Sequence, residues 1–174
     1  KERITDMKLT EIKKLDEAYY MNTFGPRTPV AFERGEGIYL YGTDGKRYTD
    51  FFAGIAVNAL GHSHPAVVKA VREQAEKLIH CSNLYYIENQ ARLAALLCEN
   101  SCADKVFFAN SGAEANEGAL KLARIYFKKA GMPEKTDFIC LQKSFHGRTI
   151  TTATATSQPK NNEPLAPLTP CFTH

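Results

Sequence analysis

Two short segments carry residue types suited to binding an anion. The first, Asn110–Glu114, follows an apolar run and opens a predicted helix. Ser111 and Glu114 fit a capping box, in which the serine oxygen accepts from the amide of Glu114 and the glutamate accepts from the amide of Ser111. The amides of Gly112 and Ala113 then remain free at the positive end of the helix dipole, as in an anion site. An ordinary capped helix explains the pattern equally well.

The second segment, Ser144–Thr149, also follows an apolar run and contains Phe145, His146, Gly147 and Arg148. A guanidinium suits bidentate binding of carboxylate or phosphate, and an aromatic face can stack on a planar ring. Taken singly, such a Phe is more often core and such an Arg more often forms a surface ion pair. Two loops at the same edge of a parallel sheet, however, predict one shared site, because α/β sheets bind ligands there.

The third segment, Gly61–Pro65, contains His62 and His64, and either Cys81 or His80 would be a further ligand for zinc. Zinc sites need four ligands in a tetrahedral array, and the recurrent spacings of zinc fingers are absent. The segment therefore predicts a turn leading into a helix, with no metal. No P-loop and no G-x-G-x-x-G is present, so the sequence does not support nucleotide binding by those loops.

Composition excludes several classes of protein. Lys and Arg total 22 against 19 Asp and Glu, a balance that predicts neither a nucleic-acid nor an acidic-lipid partner. No apolar run approaches the ~20 residues of a membrane span, and the first residues lack the apolar stretch of a secretory signal. The five cysteines are odd in number and form no C-x-x-C pair. Scattered thiols of this kind indicate a reducing compartment, so we expect a cytoplasmic protein.

Local patterns predict the elements that must position these segments. Residues 37–41 and 46–48 flank Asp44-Gly45, whose glycine suits the positive φ of a tight turn, and this predicts a hairpin. Residues 1–20 predict an exposed arm or helix. Beyond Pro159, prolines recur and no further strand or helix is predicted. Helical periodicity is seen in three segments: Ala66–His80, Glu88–Glu99 and Gly112–Lys129.

The centre of the chain predicts an α/β fold. Val106–Ala109 and Phe138–Leu141 are wholly apolar, as expected of strands buried on both faces. With the helix between them they form a strand–helix–strand unit, which implies parallel strands and a right-handed crossover. A sheet covered on both faces usually needs more strands than these two. We therefore expect the front part of a larger protein.

Seven motifs, in this order and spacing between about Tyr20 and Pro159, resemble those of the class III aminotransferases. The resemblance is more specific than any single motif, because order and spacing agree over most of the chain. The motifs are Asn22–Gly25, Arg34–Gly37, Asp50–Asn58, Gly61–Pro65, Ser82–Tyr85, Asn110–Glu117 and Ser144–Thr149.

The resemblance implies a fold-type I α/β enzyme that uses pyridoxal 5'-phosphate and works as a homodimer in the cytoplasm. Residues 1–58 would belong to the small domain, and residues 59–174 would be the first part of the large cofactor-binding domain. The implied reaction moves the terminal amino group of N-acetylornithine to 2-oxoglutarate in arginine biosynthesis. Alternative amino donors are ornithine, succinylornithine and a diaminopimelate precursor. Ornithine-specific members of the family tend to carry an aromatic residue near Ile55, and its absence here favours N-acetylornithine.

The resemblance also implies site residues. The cofactor would be bound by Ser111, Gly112, Ala113, Phe145 and His146. The amides of Gly112 and Ala113 would hold its phosphate, and the phenyl ring of Phe145 would stack on its pyridine ring. Arg148 would bind a substrate carboxylate. In the family, the lysine that forms the Schiff base and the aspartate that pairs with the pyridine nitrogen lie downstream of the last residue of this sequence. We therefore expect the 174 residues alone to be inactive, and a non-catalytic fragment or anion-binding pseudoenzyme is the alternative from another class.

Overall fold

The computed structural model describes residues 7–174, which fall into two compact units, one ending at Tyr85 and the other running from Tyr86 to His174. The first six residues of the predicted arm lie outside the described residues. The predicted domain boundary after residue 58 stays a prediction. The helices are α1 (Leu9–Tyr19), α2 (Ala53–Ala56), α3 (Pro65–Lys77), α4 (Glu88–Glu99), α5 (Gly112–Lys129), α6 (Ile150–Ala155), α7 (Pro159–Asn162) and the 3-10 turn Glu163–Leu165. The strands are β1 (Phe32–Glu36), β2 (Tyr39–Gly42), β3 (Arg47–Thr49), β4 (Phe138–Ile139) and β5 (Phe172–Thr173).

The first unit contains the predicted hairpin. β2 and β3 pair antiparallel, which confirms it, and β1 adds a third strand on the other side of β2. At the turn, Gly45 has φ +76°, a conformation that glycine adopts without steric cost. The carboxylate of Asp44 accepts hydrogen bonds from the Tyr48 hydroxyl (2.8 Å) and the Lys46 amide (3.1 Å). These bonds favour the ionised carboxylate and lower the pKa of Asp44.

His62 has a structural role in the first unit. Its Nε2 lies 2.7 Å from Asp50 Oδ2, and its backbone pairs with Gly37 in an antiparallel bridge. The other oxygen of Asp50 accepts from the amides of Phe52 and Ala53, each at 2.9 Å. The bond to His62 and these two amides lower the pKa of Asp50. Together they fix the start of α2.

The residues of α2 all have positive φ, between 47° and 65°, so this turn is left-handed. Three of its four residues are not glycine, and left-handed backbone costs such residues energy. The predicted turn before α3 is confirmed, with Pro65 as the first helical residue. Within residues 7–174, no three His, Cys, Asp or Glu side chains are arranged to hold a metal ion.

The second unit confirms the predicted bounds of α4 and α5 but corrects the sheet. Val106–Ala109 is not a strand, because these residues form no backbone hydrogen bond with any described residue. β4 is shorter than the predicted Phe138–Leu141 and is not buried, since Ile139 is 89% exposed. Its parallel partner is β5, in the stretch where no strand was expected. Strand formation depends on a hydrogen-bonded neighbour, and the apolar pattern did not identify that neighbour.

The buried core of the second unit is α6, which the sequence did not predict. The three threonines Thr152, Thr154 and Thr156, the last directly after the helix, are only 0–2% exposed. Ala153 and Ala155 are 2% and 4% exposed. Buried hydroxyls need partners, and these bond back along the helix: Thr154 to the Ile150 carbonyl and Thr156 to the Thr152 carbonyl, each at 2.9 Å. The core therefore lies directly under the Ser144–Thr149 loop.

Among residues 7–174, none of the helices combines the length and the apolar composition that crossing a bilayer requires.

Candidate functional site

The N-terminus of α5 is capped much as predicted, with one difference. Ser111 Oγ accepts from the amide of Glu114 at 3.2 Å. The Glu114 carboxylate, however, accepts from the amide of Asn110 at 2.6 Å, one residue earlier than a capping box requires. No described acceptor pairs with the amides of Gly112 or Ala113. Two donors thus remain available at the positive end of an 18-residue helix.

The space in front of Gly112 is open. A Cβ atom built on this residue would meet no heavy atom within 4 Å, and its φ is not in the left-handed region. The glycine is therefore not required by backbone conformation or by packing among the described residues. The open space leaves room for an anion to approach the two free amides.

Two long-range hydrogen bonds hold the Ser144–Thr149 loop on α5. The side-chain amide of Asn116 donates to the carbonyl of His146 at 2.7 Å. The hydroxyl of Thr149 donates to the carboxylate of Glu117 at 2.6 Å. Both acceptors lie about thirty residues from their donors in the sequence. The structure thereby brings the two predicted anion-binding segments together, as the sequence indicated.

Gly147 makes the close approach possible. It is buried, its φ is +139°, and a Cβ atom there would lie 2.5 Å from Thr152 Oγ1 and 2.7 Å from the Cβ of Ala113. No side chain fits in that space. The backbone of the loop thus packs directly against the first turn of α5 and against the buried helix α6.

Phe145 and Arg148 form an exposed pair on this loop. The Phe145 side chain is 57% exposed, and the Arg148 guanidinium carbon lies 5.3 Å from its ring centroid. Arg148 Nη1 also donates to Asn161 Oδ1 at 3.2 Å. Within residues 7–174, Arg148 takes part in no ion pair. The alternative of a surface ion pair is therefore not what the structure shows, since the nearby carboxylates of Glu114 and Glu117 bond to Asn110 and Thr149 instead.

His146, in the middle of the loop, is half-buried. Its amide donates to Thr156 Oγ1 at 2.9 Å, and the residue lines an open, largely apolar groove of about 430 Å³ between α5 and β4. Cys140 lines the same groove, and burial raises the pKa of its thiol. Both residues thus line the apolar groove between α5 and β4.

Several residues that build the site were not singled out by sequence reasoning. Asn116 and Glu117 belong to the motif Asn110–Glu117 but were not assigned a role. The available signal was their polarity inside a helix that faces a loop. Asn161 carried no local signal at all, because its contact with Arg148 spans thirteen residues. What the six predicted site residues bind stays a prediction.

Comparison with known proteins gives consistent results. The family described as "Aminotransferase class-III" matches residues 20–174. The chain is 53% identical over 163 residues to a protein of Gloeobacter violaceus named acetylornithine aminotransferase, and 51% identical over 172 residues to one of Synechocystis with the same name. These alignments cover 94% and 97% of the chain but 40% of each relative.

Among solved structures, the ornithine aminotransferase from Toxoplasma gondii matches with a TM-score of 0.89 at 27% identity. The match covers 98% of this chain and 40% of that one. The chain therefore spans about two fifths of the length of the proteins it matches.

Proposed function

Because the chain belongs to the class III aminotransferases, we propose that it is part of an enzyme that moves the terminal amino group of N-acetylornithine to 2-oxoglutarate in arginine biosynthesis. The observation that carries the proposal is the packing of the Ser144–Thr149 loop on the N-terminus of α5. This packing presents free amides, an exposed aromatic ring and an arginine without a carboxylate partner at one place. An anionic, planar cofactor and a carboxylate substrate need these groups.

The chain forms part of the α/β fold-type I of pyridoxal 5'-phosphate enzymes. Pyridoxal 5'-phosphate is the cofactor of the family. The residues at the α5 N-terminus fit its phosphate, since the amides of Gly112 and Ala113 are unpaired and nothing fills the space before them. When bound, the cofactor acts as an electron sink for the carbon that loses its proton. Ser111 would fix the helix end, and Gly112 and Ala113 would donate to the phosphate.

The other side of the proposed site is formed by the loop. We assign Phe145 to stacking on the cofactor ring, for which its exposed face is suited. The backbone of the next residue, His146, is fixed by hydrogen bonds with Asn116 and Thr156, and its side chain would also contact the cofactor. Arg148 would hold a substrate carboxylate with parallel N–H donors and so orient the reacting amine.

The choice of amino donor is supported by the relatives. Proteins about 50% identical to this chain are named acetylornithine aminotransferase, whereas the neighbour named ornithine aminotransferase is 27% identical. We further propose a cytoplasmic homodimer, which sedimentation of the full-length protein and cell fractionation would test.

The direct test is a transamination assay on the full-length protein. It should convert N-acetylornithine with 2-oxoglutarate at a higher kcat/KM than ornithine or succinylornithine. The 174 residues alone should not turn over, because we propose that the lysine bonded to the cofactor lies outside them. A full-length protein that binds pyridoxal phosphate but transfers no amino group from any of these donors would point to the non-catalytic alternative.

Replacing Arg148 tests the proposed carboxylate site. Arg148→Lys keeps the charge but cannot form two parallel bonds, so one hydrogen bond to the carboxylate is lost. In the full-length enzyme we expect KM for N-acetylornithine to rise roughly two- to twelvefold. Because the charge is kept, the loss is that of one ordinary hydrogen bond, about 0.5–1.5 kcal/mol. Cofactor affinity and thermal midpoint should stay nearly unchanged. Steady-state kinetics measure KM, and a thermal melt measures the midpoint.

Arg124 provides a matched control, because its guanidinium carbon also lies over a phenyl ring, 5.5 Å from the centroid of Phe138. Arg124→Lys should leave KM unchanged. An Arg148→Lys enzyme that melts early while its KM stays normal would assign Arg148 a structural role instead.

A further inference from the structure

Arg148 is held in place by a neutral side chain. Its Nη1 donates to Asn161 Oδ1 at 3.2 Å while its guanidinium carbon lies 5.3 Å from the Phe145 ring centroid. Two contacts of different kinds thus restrict the direction of the guanidinium plane. A hydrogen bond to an amide oxygen leaves the positive charge of the arginine uncompensated, whereas a carboxylate in the same place would neutralise it.

The orientation of Asn161 is itself fixed. Its Nδ2 donates to Gln158 Oε1 at 2.7 Å, and Gln158 Nε2 donates to the carbonyl of Ser144 at 3.3 Å. Because the nitrogen of the Asn161 amide is engaged by Gln158, its oxygen must point the other way, toward Arg148. We call Gln158 and Asn161 the amide bracket. The bracket connects Ser144, where the loop begins, to Arg148 near its end.

The bracket is anchored in the buried part of the second unit. Asn161 lies in α7, and its amide donates to the Gln158 carbonyl at 2.8 Å. The next residue, Asn162, is 9% exposed and donates from its side chain to the Thr156 carbonyl at 2.5 Å. Thr156 in turn ends the buried helix α6. The position of Asn161 is thus set by the core and not by the exposed loop.

We propose that Asn161, oriented by Gln158, is a positioning residue that directs the guanidinium of Arg148 toward the substrate carboxylate. The inference rests on the proposed function, because it assumes that Arg148 binds a carboxylate. A surface ion-pair partner would hold the guanidinium as well but would compete with the substrate for the same donors. A neutral acceptor uses one donor and leaves the others, with their charge, for the ligand.

Two variants of the full-length holoenzyme test this role, with glutarate as an unreactive dicarboxylate probe. Asn161→Ala should raise KM for 2-oxoglutarate and the Kd of glutarate about threefold, the loss expected for one ordinary hydrogen bond. Asn161→Asp should raise both further, roughly tenfold, because its carboxylate pairs with Arg148 as a charge-assisted partner. Both variants should keep kcat and cofactor affinity. Lys160→Ala, at an exposed neighbouring position of α7, is the control and should change nothing.

A purely structural role predicts a different pattern. Asn161→Asp would then strengthen the contact and leave KM and glutarate affinity unchanged, and Asn161→Ala would lower only the thermal midpoint. Either of these results contradicts the inference.

Arg148→Met separates the inference from the proposed function. If Arg148→Met weakens glutarate binding while both Asn161 variants bind it normally, the amide bracket has no positioning role and the proposed function stands. If Arg148→Met itself binds glutarate normally, the proposed carboxylate site is wrong and the inference fails with it.

Discussion

Gly112→Val in the full-length enzyme should weaken pyridoxal 5'-phosphate binding by roughly ten- to 150-fold, the loss expected for one hydrogen bond to a charged group. The isopropyl group would occupy the open space before the first amides of α5, where no described atom lies within 4 Å of a built Cβ. Since a Cβ at this position meets no atom of residues 7–174, the substitution should obstruct the phosphate without disturbing the packing of this part of the chain. Titrating the apoenzyme with pyridoxal phosphate, followed by absorbance, measures the affinity.

Ala115→Val is the matched control, because Ala115 is exposed in the first turn of α5 and receives the same isopropyl side chain. It should leave cofactor affinity close to that of the unchanged enzyme. If the two variants bind pyridoxal phosphate equally well, the assignment of Gly112 to the phosphate is wrong.

Gly147→Ala should lower the free energy of unfolding by about 2–5 kcal/mol and weaken cofactor binding at the same time. A φ of +139° is strained for any residue with a side chain. In addition, the new methyl group would lie 2.5 Å from Thr152 Oγ1 and 2.7 Å from the Cβ of Ala113, so the loop must move away from α5. Thermal unfolding of the holoenzyme and the cofactor titration measure both effects.

Gly131→Ala isolates the contribution of backbone strain. Gly131 has φ +78° but no atom within 4 Å of a built Cβ, so alanine there should cost only about 1–2 kcal/mol and leave cofactor affinity intact. Equal destabilisation by the two substitutions would show that Gly147 is not packed against α5 as described.

The sequence alone determined the elements whose signals are local. α4 and α5 begin and end at the predicted residues, because apolar periodicity, the Ser111 cap and the glycine and proline after α5 all lie within a few positions of the helix ends. The β2–β3 hairpin was predictable for the same reason, since the Asp44-Gly45 turn specifies it. The two segments predicted to bind an anion were proposed in the same way, each from its own residue types.

Tertiary structure decided whatever depends on a distant partner. Val106–Ala109 is as apolar as a strand but pairs with nothing described, whereas Phe172–Thr173 carries little strand signal and pairs with β4. The threonine-rich α6 was not predicted, because burial of its hydroxyls requires hydrogen bonds that composition does not reveal.

The same distinction applies within the site. Residue types predicted that Arg148 binds a carboxylate, but only the fold showed that Asn161 accepts its hydrogen bond while Glu114 and Glu117 bond elsewhere. Spacing along the chain governs helix ends and tight turns, where the interacting atoms are at most a few residues apart. The direction of a long side chain is set by neighbours that only the folded backbone brings within hydrogen-bonding distance, and for this reason the sequence identified the groups while the structure decided how they are held.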